Sequence, residues 1–199
     1  MATNLFFLGI ICLAFNVIYR SANRSVLEHD KLDPYRAGVA RSRMEVVRTA
    51  VKELGLRERS GRNDGAQVER FLKVVGLLKG EPWCAAFISW VFYETGFEKP
   101  RTGWSPALFP VSRLARSALP GNVIGIYFPD KKRIAHVGLI EKEDGSWIVA
   151  IEGNTNVEGS REGDGVYRKR RHKKTIYQIS DWISDASYSG CYMVGKQED

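Results

Sequence analysis

Residues 81–87 read EPWCAAF, and the apolar run continues through Ile88, Val91 and Phe92 to Gly96. Pro82 suits the first position of a helix, because proline lacks the N–H that this position leaves unpaired. The spacing of Ala85, Phe87, Ile88, Val91 and Phe92 predicts a helix ending at Gly96. Cys84 then falls in its first turn. Unpaired backbone N–H groups and the helix dipole meet there, and both stabilise a thiolate. The same N–H groups can receive a developing oxyanion. A cysteine on an apolar helix also reads as a small buried hydrophobe, so Cys84 needs partners before it becomes a nucleophile.

Upstream of this stretch, Met44, Val47, Val51 and Leu54 recur at helical spacing from Ser42, and Gly55 suits the stop. GRNDG at 61–65 is a loop. Val68, Phe71, Leu72 and Val75 repeat the helical stripe up to Gly76. Downstream, Pro100, Pro106, Pro110 and Pro120 punctuate a loop-rich stretch with one helical turn near Arg113 to Ser117. After Gly121 the pattern shortens to β-like runs at 122–128, 135–141 (AHVGLIE) and 147–152 (WIVAIE), with Asp144-Gly145 as a turn. Residues 153–164 read as loop, and 166–171 and 188–194 supply two more strands. Helices first and an antiparallel sheet afterwards predict an α+β fold. No internal repeat is present.

A nucleophilic cysteine needs a base. Of the three histidines, His29 precedes the helical region and His172 lies among like charges. His136 stands near the start of an otherwise apolar strand, where burial would fix its ring, although a core histidine reads the same way. The base in turn needs an orienting group. A hairpin turning at Asp144-Gly145 brings Glu152 near His136, with Asn154 two residues further along the same strand face. Glu152 as a surface carboxylate and Asn154 as a turn residue are the plainer readings of each alone.

PWCAAFISW, followed by AHVGLIE and then IEGNTN, resembles the CHAP family of cysteine- and histidine-dependent amidohydrolases and peptidases. The resemblance spans about residues 44–171. It implies a papain-like fold, with N-terminal helices packed on a small antiparallel sheet. It also implies that Cys84 is the nucleophile, His136 the base, and Glu152 with Asn154 the orienting pair. The bond cut would be an amide of bacterial peptidoglycan, between glycan and stem peptide or within the cross-links. Papain-like enzymes often take an oxyanion donor from a Gln just before the cysteine. Leu78 to Glu81 contain no amide side chain, so the Cys84 N–H is the one donor that can be named. Trp83, beside the nucleophile, is expected to line the substrate groove.

Composition narrows the rest. Thirty Lys and Arg against 23 Asp and Glu give a net charge of +7, and 44% hydrophobic with 27% charged residues is globular. A disordered, collagen-like or disulfide-knotted chain is excluded. Cys12, Cys84 and Cys191 form no CxxC pair and no zinc spacing, so neither a metal nor an organic cofactor is expected. Six of the seven residues from Arg168 to Lys174 are Lys or Arg, which reads as a solvated strand or, alternatively, as a contact for anionic wall polymer. No aromatic stacking pattern accompanies the run, so nucleic acid is not expected as a partner.

Residues 1–19 carry no charged side chain, and LFFLGIICLAFNVIY at 5–19 is an apolar run broken only by Asn16. Residues 1–22 are read as a membrane anchor or signal segment, 23–41 as a linker, and 42–195 as the CHAP-like catalytic domain. A cell-envelope location follows, anchored through residues 5–19 or exported. The cations Arg20, Arg24, Lys31 and Arg36 all follow the run, an arrangement that by itself would hold the body in the cytoplasm. Two rival functions stand beside the peptidoglycan hydrolase. One is a papain-like peptidase or acyltransferase with a non-wall substrate. The other is a catalytically idle, membrane-tethered wall-binding module. The sequence carries no sign of oligomeric state.

Overall fold

The computed structural model describes residues 34–158 and 163–184. Contacts divide the chain into units Met1–Ala37 and Gly38–Asp199, and the second holds the site discussed below. Three α-helices come first: α1 (Pro34–Lys52), α2 (Ala66–Val74) and α3 (Cys84–Glu94). Six strands follow: β1 (Leu114–Ala115), β2 (Val123–Phe128), β3 (Arg133–Asp144), β4 (Trp147–Thr155), β5 (Gly165–His172) and β6 (Gln178–Ser180). They form one sheet in the order β1-β6-β2-β3-β4-β5, with every pair antiparallel. The class is α+β, as the order of patterns predicts.

Helix α3 is the centre of the molecule. Every residue from Cys84 to Phe92 is buried, and the helix meets solvent only at its last two residues, Tyr93 and Glu94. Its one serine, Ser89, is satisfied twice by Thr102, accepting from its N–H at 3.0 Å and donating to its carbonyl at 2.8 Å. Phe87, Trp90 and Val91 share a core with Phe71 and Leu72 of α2 and with Val137, Leu139 and Ile151 of the sheet. A smaller cluster of Ile124, Ile140, Ile148 and Ala150 packs separately, against Ile176 and Ile179. Neighbours Leu139 and Ile140 thus serve different clusters, as strand alternation requires. That explains why AHVGLI is apolar apart from His136: both sides are covered.

Several boundaries differ from the sequence reading. Helix α1 begins at Pro34 rather than Ser42, because its first turns are exposed and carry no apolar stripe to betray them. Its buried face runs through Arg43, Val46, Val47 and Ala50, leaving Met44 about half exposed. Arg43 can be buried because both terminal nitrogens of its guanidinium are occupied. It donates to Asn122 Oδ1 at 2.7 Å, Ser184 Oγ at 2.8 Å and the Pro120 carbonyl at 3.0 Å, and it pairs with Asp181. Helix α3 starts at Cys84, with Trp83 as its cap, two residues later than Pro82 suggests. The turn expected near Arg113 is a short 3-10 segment, Val111–Arg113, leading into β1. Neither β1 nor β6 is foreseen by pattern, since two- and three-residue strands are too short to show alternation. Strand β4 runs through Thr155, so Gly153 and Asn154 belong to it and not to a loop. The strand expected at 188–194 and the apolar segment 5–19 lie outside the described residues. Among those that are described, no helix is long and apolar enough to cross a membrane.

Candidate active site

Cys84 is the first residue of α3, and the Trp83 carbonyl accepts the Phe87 N–H at 2.8 Å to close the first turn. The first-turn N–H groups therefore point toward the sulfur, and that of Ala85 bonds it. The Ser105 hydroxyl, on a 3-10 turn at Ser105–Leu108, lies 3.5 Å from Sγ. Burial pushes the Cys84 thiol up. The hydrogen bond and charge of His136, with Ser105 and the Ala85 N–H, outweigh that and hold the thiol below its ordinary value.

His136 is buried on β3 beside an irregularity. Ile126 faces His136 and Tyr127 faces Ile134, so Ala135 is an extra residue in the ladder. Such bulges re-aim neighbouring side chains. The ring's Nε2 lies 2.9 Å from Glu152 Oε2. Glu152 occupies Nε2, which leaves the buried Nδ1 as the nitrogen that can exchange a proton with Cys84. Burial lowers the imidazole pKa, but Cys84 and Glu152 raise it further, to about 9. The two shifts run the same way, each favouring the charged form of its group.

Glu152 is fully buried on β4 and forked by Arg171 of β5. Arg171 Nε donates to Oε1 at 2.8 Å and Nη2 to Oε2 at 2.6 Å. Burial raises the carboxyl pKa, while Arg171 and then His136 bring it down to about 2. The hairpin closes on the pair Asp144 and Trp147, one residue later than the Asp144-Gly145 turn expected from sequence. A second bulge follows at Glu141. Gly138 lies against Glu152 as a result, and a Cβ there would sit 2.7 Å from Glu152 Cγ. The missing side chain at 138 is what makes room for the Glu152 carboxylate.

Asn154 occupies a different place from the one expected. It has φ 54, in the left-handed region, at a third bulge where Glu152 faces Tyr167 and Thr155 faces Gly165. Its amide accepts the Trp83 N–H at 3.0 Å and donates to the Gly163 carbonyl at 3.2 Å. Its hydrogen bonds brace the cap of α3, and it makes none to the His136 ring. Trp83 also departs from expectation. It is fully buried, donates Nε1–H to Glu58 at 2.7 Å and packs on Phe71 and Phe87, so it does not line a groove.

The cleft over Cys84 encloses about 460 Å³ and is walled by Leu77, Pro82, Trp104, Ser105, Arg133 and Ala135, among others. Trp104, not Trp83, is its exposed aromatic. A larger hollow of about 780 Å³ near β1 and β6, lined by Leu114, Ile148, Ile176 and Tyr177, contains neither thiol nor imidazole.

Sequence reading missed Ser105, Gly138 and Arg171. Arg171 hides in the basic run, four of whose six cations prove to be paired with acids on β3 and β4. Arg168 pairs with Glu141, Arg170 with Asp144, Arg171 with Glu152 and Lys173 with Glu143. The usable signal is an acid, Glu152, closing an apolar run and followed by a strand with four consecutive cations, Arg168 to Arg171.

No protein-family model matches the chain, and no curated protein does. Two solved structures resemble part of it. "The crystal structure of Ly7917" has a TM-score of 0.39 and 14% identity over 69% of this chain and 61% of that one. "The crystal structure of Ly7917 with the hydrolyzing product of MDP" has a TM-score of 0.38 and 14% identity over 69% and 62%. The matched part of the present chain thus spans less than two thirds of either.

Proposed function

We propose that the chain is a cysteine-dependent amide hydrolase acting on bacterial peptidoglycan. The observation that carries this reading is Cys84 at a helix N-terminus, coupled to a buried His136 that bonds a fully buried, ionised Glu152. The wall substrate is drawn from the CHAP-like residues PWCAAFISW, AHVGLIE and IEGNTN.

In the proposed reaction the Cys84 thiolate adds to the amide carbon. The Cys84 N–H and the Ser105 hydroxyl face the developing oxyanion. As the tetrahedral centre collapses, the C–N bond breaks and His136 Nδ1 gives its proton to the leaving amine. A thioester remains. Water then adds to its carbonyl while the now neutral His136 accepts a proton, and the C–S bond breaks to release the acid and restore the ion pair. Glu152 holds the ring through Nε2, and Arg171 holds Glu152 charged. Four of the six cations of the basic run already have acidic partners, which does not favour the reading as an idle wall-binding module.

The test uses the full chain and its Cys84→Ala variant on purified peptidoglycan, with products identified by mass spectrometry. The wild type is expected to release fragments, and Cys84→Ala to lose activity at least about a thousandfold. A folded wild type that releases nothing from several wall chemotypes overturns the proposal.

A further inference from the structure

Arginines 101 and 133 both border the Cys84 cleft, but they stand in different states. Arg101 is committed to the backbone, donating to the Pro100 carbonyl at 2.7 Å, the Ser89 carbonyl at 3.3 Å and the Phe97 carbonyl. Arg133 donates to one carbonyl, that of its neighbour Ile134, at 3.0 Å. Its guanidinium carbon sits over the exposed Trp104 ring, 4.1 Å from the centroid. Among the described residues it is in no ion pair.

A guanidinium held over an aromatic ring keeps its edge, with the remaining N–H donors, free and already oriented. That edge matches a carboxylate, which can accept two parallel hydrogen bonds. Trp104 removes water from one side and limits the rotamers of Arg133, so less freedom is lost when a ligand docks. The nucleophile in the same cleft acts on an acyl carbon, so the partner is part of a peptide-like substrate.

We propose that Arg133 on its Trp104 platform is a specificity subsite for a free carboxylate next to the scissile amide. This rests on the hydrolase reading above and narrows its substrate class to acidic peptides.

Two wall-peptide probes test it, identical except that the second residue is D-isoglutamate, with a free carboxylate, or D-isoglutamine, with a carboxamide. For the full-length wild type, kcat/KM is expected to be at least about tenfold higher on the carboxylate, mainly through KM. In Arg133→Gln the ratio should fall to within about twofold, and in Trp104→Ala to an intermediate value. A wild type without preference for the carboxylate, or a preference that survives Arg133→Gln, overturns the proposal. If neither peptide is cut, the hydrolase reading fails separately and binding is read from protection of Cys84 against iodoacetamide. Protection by the carboxylate peptide alone, lost in Arg133→Gln, upholds the subsite. Equal protection by both peptides, or none, overturns it.

Discussion

The sulfur side and the charged side of the site are built in different ways. Cys84 owes its setting to a few consecutive residues: the Trp83 cap, the first turn of α3 and the N–H of Ala85. The charged side is collected from three strands, with His136 on β3, Glu152 on β4 and Arg171 on β5. The first depends on helix geometry, which any early-turn cysteine would share. The second depends on register, and a one-residue slip would turn every member away. The setting of the thiol is therefore locally encoded, whereas the ion-paired imidazole beside it is a property of the assembled sheet. Substitutions on the charged side should then damage stability and catalysis together.

The sharpest test of that difference is Glu152→Ala. It leaves Arg171 and His136⁺ without their shared anion in a buried place. Breaking such a pair costs roughly 3–5 kcal/mol in stability. Hydrolysis should fall at least about a hundredfold as the ring loses its orienter. Urea denaturation and steady-state rates read the two effects. A variant as stable as wild type would break the comparison.

Arg171→Met should act less severely and with a pH signature. In the native protein Glu152 is held at about 2 against an ordinary 4.5, so it contributes stability that is full above about pH 4.5 and lost as pH falls toward 2. Without the Arg171 fork the carboxyl pKa rises, so this contribution shrinks and is exhausted at a higher pH. The acid limbs of both stability and activity should move upward together, while Arg171→Lys, which keeps the charge but not the fork, falls between. The alkaline limb belongs to His136. Activity should decline as pH rises through about 9, when the imidazolium no longer has a proton to give. An acid limb that does not move in Arg171→Met would sever Arg171 from the site.

These cases show what was legible in the sequence. Cys84, His136 and Glu152 could be read because each stands out locally: a thiol after proline, a lone imidazole in an apolar strand, a carboxylate closing another. Even so, the hairpin argument reached the right pair through a register off by one at the turn, with a bulge at Glu141 supplying the compensation. Asn154 was found as a residue but not in its position, because the left-handed backbone that turns its amide to the Trp83 N–H has no sequence signature beyond Asn itself. Trp83 was misplaced because adjacency in sequence says nothing about which side of the cap faces the cleft. The fold class followed from the order of helical and strand patterns. Strands β1 and β6 are defined only by their partners.

Gly138→Ala probes the register directly. The added methyl would meet Glu152 Cγ at 2.7 Å, closer than unstrained carbon contacts. Overpacking of this kind costs about 1–3 kcal/mol, and the displaced carboxylate should lower the rate by about tenfold. Thermal unfolding and kcat check it. Unchanged kcat with reduced stability would mean that the Glu152 position tolerates movement, and that the relay is less exacting than the packing around it.

The smallest effect is expected one residue from one of the largest. Arg170 and Arg171 are consecutive on β5, each paired with an acid on the β3–β4 hairpin. Alternation sends them to opposite sides of the strand. Arg171 reaches the buried Glu152, but Arg170 and Asp144 are both more than half exposed, 3.1 Å apart, with Arg170 also resting over Trp147. Water and salt screen an exposed pair, so Arg170→Gln should change stability by roughly 0–1 kcal/mol and leave kcat and its pH profile in place. Measured side by side with Arg171→Met, it separates the formal charge of the basic run from the position of one member. If both variants shifted the acid limb equally, the field of the whole strand would be tuning Glu152, and the fork would not be the cause.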